Sequence, residues 1–85
     1  MTEKEFYKWL GNRIKELRER TGLKQKEVAE KVNLPAQFLS NVENSGKRLS
    51  TYQLNRILEV MGYSQADLIE DEKKKNLRLS FAVNS

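Results

Sequence analysis

Hydrophobic residues recur at helical spacing through most of the chain. In the first segment they return every three or four residues and predict a helix over about residues 3–20, with Gly22 just past its end. Two shorter helices are predicted next, over about residues 25–32 and from Pro35 to about Glu43, because Pro is tolerated only in a first helical turn. The apolar stripe of the first helix comprises Phe6, Leu10, Ile14 and Leu17, with Trp9 beside it.

Beyond a loop around Gly46, the pattern predicts two more helices. Ser50 is a suitable N-cap for the fourth helix, since its hydroxyl can accept a free backbone N–H, and Gly62 marks the end of that helix. Ser64 and Asp67 have the spacing of a capping box and open a short fifth helix through residue 69. The apolar positions of the fourth helix are Leu54, Ile57, Leu58 and Met61.

The end of the chain follows a different period. Leu77, Leu79, Phe81 and Val83 alternate with other residues, which is typical of a half-buried strand. A lone strand cannot pair its own backbone groups, so this segment needs a partner strand. The pattern therefore predicts an all-α domain of five helices over residues 1–71, followed by a charged linker and C-terminal strand over residues 72–85.

Composition narrows the possible chemistry. The 85 residues suit one domain, and an apolar content of 38% allows only a small core. The chain has no Cys and no His, so disulfides, thiolate metal sites and the commonest general base are absent; we expect no enzyme, metal site or cofactor. The charged N-terminus and the lack of a long apolar run predict a soluble, cytoplasmic protein without membrane contact. A net charge of +4 permits an anionic partner without requiring one.

The most specific signal is the stretch QKEVAEKVNLPAQFLSNVE, residues 25–43. Its two short helices flank a tight turn. Ala29 is small enough to let a crossing helix approach, and Asn33 is among the few side chains besides Gly that tolerate a positive φ. Leu34, Leu39 and Val42 can then hold the second helix against the first. This is the helix-turn-helix pattern.

At these residues the chain resembles the phage-repressor and Cro-type helix-turn-helix family of DNA-binding regulators. The resemblance spans about Leu10 to Ile69 and includes the family's LR…GLxQxEVAxKV run, its LSxVE segment and the MGYS that ends the fourth helix. It implies a lambda-repressor-like fold and a transcriptional regulator, either a repressor or a controller, that binds a palindromic operator in double-stranded DNA as a homodimer. The matched residues of the first two segments are Leu17, Arg18, Gly22, Leu23, Gln25, Val28, Ala29, Lys31, Val32, Leu39, Ser40, Val42 and Glu43.

If Leu39 and Val42 face the core, the opposite side of the third helix matches the family's base-facing or adjacent positions. Gln and Asn pair bidentately with adenine, and Ala can touch the thymine methyl group. This helix has no Arg or Lys to read guanine, so we expect the contacted bases to be mainly A·T. The predicted base-reading residues are Ala36, Gln37, Ser40, Asn41 and Asn44.

Polar and cationic residues at the edges of this surface are expected to contact phosphates. Lys24 stands where the family has a Ser, Thr or Asn cap, so it lies either beside a phosphate or at a frayed helix end. The resemblance further implies a partly buried ion pair between Arg18 and Glu43. We expect Phe38 to pack against the second or fourth helix; the alternative is that it leans onto a DNA backbone. The predicted phosphate contacts are Lys24, Gln25, Lys26, Lys47 and Arg48.

Members of the family bind two-fold symmetric DNA sites as dimers. In a symmetric dimer, the C-terminal segment of one copy can lie next to the same segment of the other copy. We therefore expect Leu77, Leu79, Phe81 and Val83 to form a strand that pairs with its own copy across the two-fold axis. An alternative reading is an antitoxin-type protein-binding module, which would neutralise a toxin and autoregulate its operon. Such a module would expose an apolar patch away from the third helix.

Overall fold

A computed structural model describes residues 1–69 of the protein. The helices are α1 (Glu3–Thr21), α2 (Gln25–Lys31), α3 (Ala36–Ser45), α4 (Thr51–Met61) and a short α5 over residues 65–69. The predicted all-helical domain is confirmed over this range, which contains no strand. The third helix, which was predicted to run to about Glu43, ends at Ser45. The linker and the strand predicted at Leu77, Leu79, Phe81 and Val83 lie outside the described residues.

Side chains fix the starts of three helices. The Thr2 hydroxyl accepts the Glu5 N–H at 3.1 Å at the start of α1. At α4, Ser50 and Gln53 cap each other, with the Ser50 hydroxyl accepting the Gln53 N–H and the Gln53 amide oxygen accepting the Ser50 N–H, both at 3.0 Å. Before α5, the Asp67 carboxylate accepts the Ser64 N–H at 2.7 Å, which is one half of the predicted capping box.

The core lies where α3 packs between α1 and α2, with α4 closing the far side. Phe6 was expected on the apolar stripe, yet 41% of it is exposed. Phe6 is exposed because the buried residues of α1 begin only at Leu10. Its ring contacts the rings of Tyr7 and Trp9, at centroid distances of 5.2 and 5.9 Å. The buried apolar residues are Leu10, Ile14, Leu17, Val28, Ala29, Leu39, Val42, Leu49, Ile57, Leu58, Met61 and Leu68.

Gly11 allows α1 to lie directly on the backbone of α3. A methyl group built on Gly11 would come within 2.0 Å of the Val42 carbonyl oxygen, far inside van der Waals contact. No side chain larger than hydrogen fits at this crossing unless one helix moves. The position of α3 relative to α1 therefore depends on this one glycine.

No helix among residues 1–69 has both the length and the apolar content that crossing a lipid bilayer requires.

Candidate nucleic-acid interface

The turn between α2 and α3 has the geometry that its sequence predicts. Asn33 adopts φ 58°, which confirms the expected left-handed residue, and it is the one residue other than Gly with positive φ in the described part of the chain. The next N–H, that of Leu34, donates to the Ala29 carbonyl oxygen at 2.9 Å. Ala29 is buried at the point where the two helices meet. This turn therefore determines which side of α3 faces inward.

A bidentate ion pair joins α1 to the inner side of α3. The Arg18 guanidinium donates from Nε to Glu43 Oε2 at 2.8 Å and from Nη2 to Oε1 at 2.9 Å. Its Nη1 donates to the Leu23 carbonyl oxygen at 2.9 Å. Glu43 is almost completely buried, so the partners satisfy a carboxylate that water does not reach.

The same pair changes the titration of the arginine. The hydrogen bond with Glu43 raises the pKa of Arg18 above its ordinary value, and burial opposes this rise without cancelling it. A raised folded-state pKa means that the stabilisation is fully present below the unfolded-state pKa and is lost only as pH rises through the folded-state pKa. For arginine that range is strongly alkaline, so Arg18 stays charged at physiological pH.

Gln25 belongs to this network as well. Its amide nitrogen, Nε2, donates to Glu43 Oε1 at 3.0 Å, and its side chain is half-buried. The sequence predicted a phosphate contact at this position, and the structure directs the side chain toward Glu43. Nothing in the sequence motif indicated that the first residue of α2 would reach the buried carboxylate on α3.

The outer side of α3 carries the residues predicted to read bases. Ala36, Gln37 and Asn44 are exposed, while Ser40 and Asn41 are partly exposed. Two hydrogen bonds run along this surface, from Gln37 Nε2 to Asn41 Oδ1 at 2.9 Å and from Asn44 Nδ2 to Ser40 Oγ at 3.2 Å. The outer side is therefore polar, uncharged and ordered by its own side chains.

The cations at the edges lie in three environments. Lys24 and Lys26 are exposed at the start of α2, where the Glu27 carboxylate accepts the Lys24 N–H at 3.0 Å and Lys24 supplies no capping side chain. Lys47 places its Nζ 5.1 Å from the centre of the half-buried Phe38 ring. Arg48 turns toward the N-terminal end of α1, where it forms an exposed 3.1 Å ion pair with Glu3.

Arg13 is a buried cation for which the sequence pattern predicted no role. Its Nε donates to the Leu68 carbonyl oxygen at 3.3 Å, and its Nη1 contacts the Glu16 carboxylate. The hydrogen bond to Leu68 ties α5 to α1. Helical spacing places Arg13 on the apolar stripe of α1, three residues after Leu10 and four before Leu17, and this position could have indicated its burial. A glycine in a helix interior could likewise have drawn attention to Gly11.

Comparison with known proteins gives a consistent result. Residues 9–70 match the family model of a helix-turn-helix domain. The chain is similar to the control protein C.MunI from a Mycoplasma species, with 32% identity over 66 residues, which cover 76% of this chain and 89% of that protein.

Solved structures include similar folds. The clp gene regulator ClgR from Corynebacterium glutamicum is 26% identical, with a TM-score of 0.73 and coverage of 92% of this chain and 82% of that one. The restriction-modification controller protein C.Esp1396I is 25% identical, with a TM-score of 0.71 and coverage of 84% and 93%. These relatives are regulators rather than enzymes. The chain belongs to the helix-turn-helix family of DNA-binding transcriptional regulators of the phage-repressor and Cro type.

Proposed function

We propose that the protein is a homodimeric regulator that inserts α3 of each copy into the major groove of a palindromic operator. The observation that carries this proposal is the outer side of α3, whose polar side chains are exposed while its inner side is fixed to α1 by Arg18 and Glu43. Polar residues on a rigid, outward-facing helix are what base-edge recognition requires.

Gln37 and Asn41 are the proposed principal base readers. Each carries an amide that can pair with adenine through one donor and one acceptor. Their mutual hydrogen bond at 2.9 Å supports a shared orientation before DNA arrives. Ala36 would contact a thymine methyl group, and Ser40 and Asn44 would contact neighbouring base edges or the backbone. Within α3 no cation competes for guanine, so the proposed half-site is mainly A·T.

Phosphate contacts are proposed on both sides of α3. Lys24 and Lys26 would reach one backbone strand and Lys47 the other, and each neutralised phosphate would add to the salt dependence of binding. Arg48 would first have to leave an exposed ion pair, which costs only about 0–1 kcal/mol. Gln25 would have to leave the buried Glu43 carboxylate, so its backbone N–H is the better candidate for this contact.

The relatives support the regulatory class. One is named a control protein, one a restriction-modification controller and one a gene regulator. A controller or repressor is therefore the role that we propose for this chain. These names give no support to the antitoxin alternative or to a toxin partner.

Dimerisation through the tail remains a separate proposal. The alternation at Leu77, Leu79, Phe81 and Val83 supports a strand that pairs with its own copy. Deleting residues 76–85 should shift the protein toward monomer in analytical ultracentrifugation and weaken operator binding. A truncated protein that stays fully dimeric would contradict this proposal and would leave the DNA-binding proposal intact.

Selection of random duplex DNA by the full chain tests the function directly. At roughly 0.15 M salt, nonspecific contacts are weakened, so enrichment reports sequence recognition. We expect a palindrome whose half-sites lie about one helical turn apart and carry A·T pairs opposite Gln37 and Asn41. Failure to enrich any sequence would refute the proposed function, and G·C pairs at those positions would refute only the assignment of the readers.

A further inference from the structure

The turn after α3 packs against the first half of α1. Gly46 ends α3, and a methyl group built on it would lie 3.1 Å from the backbone nitrogen and Cγ of Lys8 and 3.2 Å from its Cα. The absence of a side chain at Gly46 therefore allows α1 to pack closely against the turn. Lys8 is exposed, and the residue that follows Gly46 is the exposed Lys47. Two lysines distant in sequence thus belong to one corner of the molecule.

Lys47 is held along the side of α3. Its backbone N–H donates to the Asn41 carbonyl oxygen at 3.2 Å, and its ammonium group lies over the Phe38 ring at 5.1 Å. Phe38 immediately follows Gln37 in α3, so the aromatic ring borders the outer side of this helix. A cation over an aromatic ring is attracted by its negative face, which restricts an otherwise mobile side chain.

The acids near this corner have other partners. Glu3 pairs with Arg48 at 3.1 Å, and Glu5 accepts the Thr2 hydroxyl at 3.1 Å. Within residues 1–69, neither Lys8 nor Lys47 has a carboxylate within ion-pair distance, whereas Arg48 does. The positive charge of the corner is therefore carried by the two lysines.

We propose that Lys8 and Lys47 form one phosphate clamp at the C-terminal end of α3, with Phe38 as the residue that positions Lys47. The proposal rests on the proposed DNA-binding function and extends the interface to α1, which no motif in the sequence indicated. A helix lying in the major groove is bordered by phosphates along its sides and ends, and a cation pair at this corner meets the backbone there. The ligand is a phosphodiester of the operator, not a base.

The salt dependence of operator binding tests the clamp. The logarithm of the affinity of the full chain for the selected operator is plotted against the logarithm of salt concentration, over roughly 0.05–0.2 M. Each lost phosphate contact reduces the magnitude of the slope by about 0.9, so Lys8→Gln should reduce it by nearly two in a dimer. Lys47→Gln should do the same. Lys15→Gln is the matched control, because Lys15 is an exposed lysine two turns further along α1, and its slope should equal that of the wild type.

The variant Phe38→Leu tests whether Phe38 positions Lys47 or only contributes to folding. It removes no charge, but we expect it to lower the slope in the wild-type background and to leave it unchanged in Lys47→Gln, because the ring acts through that lysine. Phe38→Tyr keeps an aromatic face and should restore the wild-type slope. A purely structural role would lower affinity in both backgrounds and leave the slope as it was.

Three outcomes are decisive. A reduced slope for Lys8→Gln with a wild-type slope for Lys15→Gln supports the clamp, provided that both variants unfold at the wild-type temperature. Equal slopes in the wild type, Lys8→Gln and Lys15→Gln, with operator specificity retained, overturn the clamp while the proposed function stands. If the wild type itself selects no operator, both the function and the clamp are refuted.

Discussion

The two sides of α3 differ in what holds their side chains. On the inner side, Leu39 and Val42 are buried against neighbouring helices, and the Glu43 carboxylate is held by Arg18. On the outer side, Gln37 and Asn41 are hydrogen-bonded to each other and otherwise face solvent. The inner side of α3 therefore contributes to folding, and the outer side is the one that we propose to recognise DNA. Substitutions on the inner side should change stability, and substitutions on the outer side should change DNA binding.

The largest expected effect comes from breaking the buried ion pair. Arg18→Met removes both charged hydrogen bonds and leaves the Glu43 carboxylate buried without its cation. The free energy of unfolding should fall by about 3–5 kcal/mol, measured by urea denaturation. The double variant Arg18→Met/Glu43→Leu should recover much of this loss, since replacing both partners by apolar groups is often neutral. A single variant as stable as the wild type would mean that the inner side does not depend on this pair.

Gly11→Ala tests the backbone contact between α1 and α3. Its methyl group would meet the Val42 carbonyl oxygen at 2.0 Å, so one helix must shift. We expect a loss of about 1–3 kcal/mol, because overpacking outweighs the gain in helix propensity. Asn12→Ala, at the neighbouring exposed position of α1, is the matched control and should be neutral or slightly stabilising. Comparing the thermal unfolding temperatures of the two variants distinguishes the steric clash at residue 11 from the effect of alanine on helix propensity.

The turn before α3 should give a smaller effect. Asn33→Ala places an ordinary side chain at φ 58° and should cost about 1 kcal/mol. Asn33→Gly should stay within about 0.5 kcal/mol of the wild type, because glycine adopts this conformation without steric cost. Chemical denaturation of both variants measures the difference. Equal losses in the two would indicate that the Asn33 side chain, rather than its backbone conformation, stabilises the turn.

The smallest effect on stability is expected on the outer side. Gln37→Ala and Asn41→Ala should each change the free energy of unfolding by less than about 0.5 kcal/mol. Each should reduce discrimination between operator and mutated operator by about 1–3 kcal/mol, measured by fluorescence anisotropy with labelled duplexes. A stability loss comparable to that of Gly11→Ala would show that the two sides of α3 are not independent.

Local sequence signals predicted most of the helical framework. Apolar spacing predicted the first four helices, and the spacing of Ser64 and Asp67 predicted the fifth. Asn33 indicated the left-handed turn and Ser50 the start of α4, since each of these signals depends on a few consecutive residues. The same logic failed for Phe6, whose helical spacing is correct but whose neighbours do not cover it. Periodicity indicates a side of a helix; only packing decides how far along that side the core extends.

The hydrogen-bond and ion-pair partners of the long polar side chains depend on the tertiary structure. The sequence alone determined the helix-turn-helix, the polar outer side of α3 and the family to which the chain belongs. It did not determine that Gln25 reaches Glu43 or that Arg13 donates to the Leu68 carbonyl oxygen. Nor did it determine that Arg48 pairs with Glu3 while Lys8 lies against the Gly46 turn. Those contacts join residues from separate helices, and their distances depend on how closely the helices pack. Charge and spacing along a chain do not contain that information, whereas helical periodicity and turn chemistry do.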